Sequence, residues 1–102
     1  MTSTKPAKVE MENINTPGRR VRVDADKYEA MREAILAVLP ASSPGITVAE
    51  LKAGVLPLLP DALFPGGAKA GWWLKGVQLD LEAKGVIQRL PASKPLRLHR
   101  IP

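Results

Sequence analysis

Between Ala70 and Ile101 the apolar period changes once, and that change limits the possible folds more than any other feature of the chain. Ala70, Trp73, Leu74, Val77 and Leu81 recur at spacings of three and four, which puts them in one sector of a helix turning by about 100° per residue. Gly85 then supplies the left-handed residue that stops a helix. Beyond it, Val86–Leu90 and Leu96–Ile101 alternate with the period of strands, and the PASKP between them suits a hairpin loop. A helix from about Lys69 to Lys84 should therefore run directly into a basic β-hairpin.

Upstream, two further helices are expected. In the first, Asp26 can cap with Glu29 three residues on, and Tyr28, Met31, Ile35, Val38 and Leu39 form the inner face before Pro40. A short connection at Ile46 leads to Thr47-Val48-Ala49-Glu50, a capping box. The helix after it points Leu51, Val55, Leu58 and Leu59 inward, with its second half weakened by Gly54 and Pro57. LPDALFPGGAKAG reads as a turn region pinned to the core by Leu63 and Phe64. Residues 1–18 read as a disordered tail. Residues 19–23, RRVRV, alternate like a short extended segment, with a basic arm as the other reading. The domain is then residues 19–102.

The chain has no cysteine, which excludes disulfides and thiolate–zinc sites and fits a cytoplasmic protein. No run approaches a membrane span, and the first residues lack the apolar core of a signal peptide. The net charge of +5 is unevenly placed. Residues 1–64 hold eight basic and eight acidic side chains, whereas residues 65–102 hold seven basic against two acidic. The entire excess lies in the C-terminal third, as on a surface that faces a polyanion.

The order helix, short connection, helix, turn, helix, hairpin resembles a winged helix-turn-helix domain, an α+β fold of three helices followed by a C-terminal β-hairpin. Leu81-Glu-Ala-Lys-Gly85-Val-Ile-Gln-Arg89 is similar to the recognition-helix ending of many such regulators, where Leu-Glu-x-x-Gly leads into the wing. The string GWWLKGVQLDLEAKG, with FPGG upstream, also resembles a family of small bacterial proteins of unknown function. The winged resemblance implies duplex-DNA binding in transcription regulation. Two departures stand out: about ten residues join the second and third helices instead of the usual three or four, and Trp72 sits where small base-reading residues are common.

On that reading, Lys69, Lys75 and Gln78 lie where a groove-inserted helix meets phosphates and base edges. Arg89, Lys94, Arg97 and Arg100 lie along the hairpin, either tracking a phosphate backbone or protecting a strand edge. Trp73 is core. Trp72 is either covered by Phe64 and the preceding loop, or joins Leu79 and Ala83 in an apolar stripe that binds a protein partner or a second copy. GGAKAG fails as a nucleotide loop, because Gly71 is followed by Trp72 instead of Lys-Ser/Thr. His99 is the only histidine and assembles no metal site or triad. Asp61, Asp80 and Glu82 are too scattered for paired-carboxylate catalysis. A non-enzymatic protein without cofactor or metal is expected.

Overall fold

The computed structural model describes residues 8–90 and 94–101. The chain begins with a hairpin: β1 (Lys8–Glu12) pairs antiparallel with β2 (Arg20–Asp24), setting Val9 against Val23 and Met11 against Val21. Residues 8–18 therefore do not belong to a disordered tail, which corrects the expected boundary; residues 1–7 lie outside the described residues. Only Val9 and Met11 mark the apolar face of β1, too few to establish a period in the sequence. The extended segment expected at 19–23 is present as β2.

Helix α1 (Ala25–Val38) follows without a break. Asp24, not Asp26, holds the N-cap position, and its side chain makes no cap bond. The carboxylate instead accepts from Lys8 Nζ at 2.6 Å, tying the helix start to β1. Tyr28, Met31, Ile35 and Leu39 are buried as their spacing requires. The expected capping box is present at α2 (Val48–Val55): Thr47 accepts from the Glu50 N–H, and Glu50 accepts from the Thr47 N–H. Pro57 lacks the N–H that would extend the helix, and the chain tightens into a 3-10 turn at Leu56–Leu58. That turn swings Leu58 outward to 53% exposure, so it does not share the inner face with Leu51 and Val55.

The connection to α3 (Ala70–Ala83) is a built loop. Pro60 O accepts from both Leu63 and Phe64 N–H, and Asp61 Oδ1 accepts from Gly66 N–H. Phe64 is buried and meets Trp73 edge-on, with ring centroids 6.3 Å apart. At the far end of α3, Gly85 takes φ +73°, Gly85 N–H donates to Glu82 O, and Val86 N–H reaches Leu81 O. This paired closure is a Schellman motif. It turns the chain into β4 (Ile87–Arg89), which pairs antiparallel with β5 (Arg97–Arg100). Residues β3 (Ile46–Thr47) add to the other side of β5, giving a three-stranded sheet of order β3-β5-β4.

Ala70, Trp73, Leu74, Val77 and Leu81 are all buried, as are Tyr28, Ile35, Leu51 and Val55 opposite them, so the period in the third helix correctly marks its core face. The molecule is a small α+β domain with three helices, an N-terminal two-stranded sheet and a C-terminal three-stranded one.

Candidate functional site

Nine of the fourteen residues of α3 are buried, more than one apolar stripe can account for. Part of the excess comes from β1, which lies against the side of the helix that carries Gly76 and Asp80. Met11 packs over Gly76, where an added Cβ would stand 2.6 Å from Met11 Cε. Leu79 on that side is only 6% exposed. The expected Trp72/Leu79 partner stripe is thereby corrected: Leu79 is covered, and Trp72 stands without it.

The polar residues of the same helix are engaged inside the fold. Asp80, fully buried, accepts from Lys84 Nζ at 2.7 Å, from the Glu12 backbone N–H at 2.8 Å and from the Tyr28 hydroxyl. Lys84 also lies over the Tyr28 ring, 5.4 Å from its centroid. Burial, together with the hydrogen bond and charge of Asp80, pushes the Tyr28 phenol up. For Lys84, burial works to lower the pKa, but the bond to Asp80 and the attraction of both partners outweigh it and leave the ammonium raised. This cluster joins β1, α1 and α3 at a single carboxylate.

A second cluster closes the other end. Glu82, buried and not on a solvated face, accepts from Arg89 Nε at 2.5 Å and Nη2 at 3.0 Å, and from Gln78 Nε2 at 3.0 Å. The Arg89 guanidinium is raised chiefly by that bond to Glu82. Gln78 is 1% exposed and cannot reach a groove, which corrects its placement among base-reading residues. Arg89 is held to α3 as the clasp between the helix and the C-terminal hairpin. The period of α3 could not announce either fact, because a salt-bridged polar face and a solvated one read alike in sequence.

The remaining cations keep a different position. Lys69 precedes α3 in the left-handed region, φ +61°, which costs a residue with a side chain about 1 kcal/mol. The first turn of α3 has no acidic residue and no side-chain cap. Lys52, on α2, reaches across to it: its Nζ lies 3.6 Å from where a Cβ on Gly71 would stand. Lys75 is exposed one turn further along. Among the described residues none of Lys52, Lys69 and Lys75 forms an ion pair. Of the hairpin residues, Lys94 is exposed, whereas Arg97 donates to Gly45 O at 3.1 Å and Arg100 to Leu39 O at 2.9 Å. Both guanidiniums retain further N–H groups.

Trp72 stands beside Lys69 at 58% exposure. Phe64 packs on Trp73 and not on Trp72, so the loop does not provide the expected cover. Sequence reasoning missed Lys52 as a member of this surface, since only the crossing of α2 over the start of α3 brings it there.

The model of a family of unknown function, DUF6958, matches residues 8–98. The chain belongs to DUF6958. The match opens on the first residue of β1 and closes within β5, so the DUF6958 domain takes in the N-terminal hairpin together with the three helices. No curated protein and no solved structure matches the chain. The string GWWLKGVQLDLEAKG, which carries the resemblance to an uncharacterised family, lies within the match, and its Gln78, Asp80, Glu82 and Lys84 side chains serve the fold. No helix among the described residues of this DUF6958 protein is long and apolar enough to cross a membrane.

Proposed function

We propose that the protein is a non-enzymatic winged-helix protein that binds duplex DNA through the head of α3, with the hairpin alongside as its wing. Support for the winged reading comes from the order α1-β3-α2-α3-β4-β5, with β3 joining the hairpin through β5. The long, internally bonded connection before α3 departs from a standard helix-turn-helix, but it still delivers α2 across the start of α3.

The observation that carries the binding reading is the gathering of Lys52, Lys69 and Lys75 around an uncapped helix start whose first turn has no acidic residue, with no ion pair on any of the three among the described residues. Elsewhere on α3 the charges are neutralised in pairs, Asp80 with Lys84 and Glu82 with Arg89. Here three ammonium groups remain in water, where phosphate oxygens can replace their counterions. Lys94, Arg97 and Arg100 extend basic character along β5 and its approach. The lysines at the head of α3 act as point charges toward phosphate, so contacts to the backbone should dominate affinity.

The test is a duplex-DNA titration at several salt concentrations. Replacing Lys52, Lys69 and Lys75 together by Ala should weaken binding and reduce the slope of log affinity against log salt by about 2.7, close to three phosphate contacts. An unchanged slope would overturn the assignment and direct attention to Arg19, Arg20 and Arg22.

A further inference from the structure

Trp72 is the only aromatic ring among the described residues that remains largely in solvent. It lines an open cleft of about 430 Å³ together with Asp24, Lys27, Lys69 and Trp73. Trp73 is buried and meets Trp72 with centroids 5.1 Å apart and planes at 80°. In either sense of that T-shaped contact at least one face of Trp72 is left without a stacked ring. Trp73 is itself held edge-on by Phe64, so Trp72 is braced from behind.

The rim of this cleft is cationic in effect. Its one carboxylate, Asp24, is taken by Lys8 at 2.6 Å and approached by Lys27 at 4.0 Å. Lys69 forms no ion pair among the described residues. An apolar protein partner seated on Trp72 would bury Lys69 without a counter-charge, a desolvation cost in keeping with the depletion of lysine from interface cores. A nucleobase with its flanking phosphates satisfies ring and lysines at once, since every base has a π face and stacking on an aromatic side chain is indifferent to sequence.

We infer that the Trp72 cleft takes one unpaired nucleobase, stacked on the indole with its neighbouring phosphates on Lys27 and Lys69, so that DNA carrying an unpaired base is preferred to continuous duplex. The inference rests on the DNA-binding reading above and names the kind of DNA that the same surface selects. Bases inside a continuous duplex are stacked on one another and offer Trp72 no free face.

The experiment is fluorescence anisotropy of the full chain with two labelled DNAs, a perfectly paired duplex and the same duplex carrying one central unpaired thymine. The unpaired thymine should tighten binding about tenfold and quench tryptophan emission. Trp72→Ala should abolish that preference while leaving affinity for the paired duplex unchanged, and Trp72→Phe should restore part of it. Equal wild-type affinity for the two DNAs, or an equal loss on both in Trp72→Ala, would overturn the inference and leave the duplex reading standing. Absence of binding to either DNA would overturn both. A wild-type dimer that sedimentation shows becoming a monomer in Trp72→Ala would also overturn the inference, assigning the ring to self-association.

Discussion

At the residue scale, Asp80 carries more of the architecture than any other side chain, because β1, α1 and α3 all meet at its two oxygens. Asp80→Ala leaves the Tyr28 hydroxyl and the Glu12 N–H without their acceptor and frees Lys84 to turn toward water. The expected loss is about 3 kcal/mol, read as a shift in denaturation midpoint; a change within measurement error would contradict the account. Tyr28 is the single tyrosine of the chain, so phenolate absorbance reports this cluster alone. Its folded-state pKa is raised, by burial first and then by Asp80. The corresponding stability is fully present below the unfolded phenol's pKa of about 10 and is lost as pH rises through the folded-state value. Asp80→Ala should lower the titration midpoint. Lys69 makes the opposite bargain: it occupies a left-handed conformation at the surface. Lys69→Gly should stabilise the domain by up to about 1 kcal/mol and weaken DNA binding, a pairing that a purely structural lysine would not show.

At the scale of elements, β1 decides how α3 is used. The core face of α3, the capping box at Thr47 and the stop at Gly85 were legible, because each is written within a few consecutive residues. The second buried face was not. Its cover arrives from a strand whose Glu12 lies 68 positions before Asp80, and a helical period does not report a partner that distant. Gln78 and Glu82 were illegible for a related reason, since their cover is Arg89, which reaches back from beyond the helix stop, and only the crossing of α2 brings Lys52 to the start of α3. Gly76 leaves the space on α3 that the Met11 side chain of the strand occupies. Gly76→Ala would drive its Cβ against the flexible end of Met11, which can yield, so a cost of about 1 kcal/mol is expected. Faster hydrogen exchange at the Val9–Glu12 amides, with α1 unaffected, is the signature to look for. Unaltered exchange in β1 would show that the strand does not depend on this contact.

Across the whole molecule, charge is divided between two tasks. Acidic groups of α3 are drawn inward and paired, holding the N-terminal and C-terminal hairpins to the helix, while Lys52 of α2 and Lys69 remain outside at the start of α3. The DUF6958 match runs from the start of β1 into β5 and assigns the domain no activity. The excess of positive charge in residues 65–102, visible in composition, is thus only part of the proposed binding surface, because Lys52 joins it through the fold. The central claim is that DNA meets the head of α3 and not the buried motif or the N-terminal arginines. Amide chemical-shift mapping with a short duplex tests it most directly. Perturbations concentrated at Ala68–Gly76 and around Lys52, fading as salt is raised, are the predicted result; shifts confined to Arg19–Arg22, or none at DNA concentrations that saturate nonspecific binders, would contradict it.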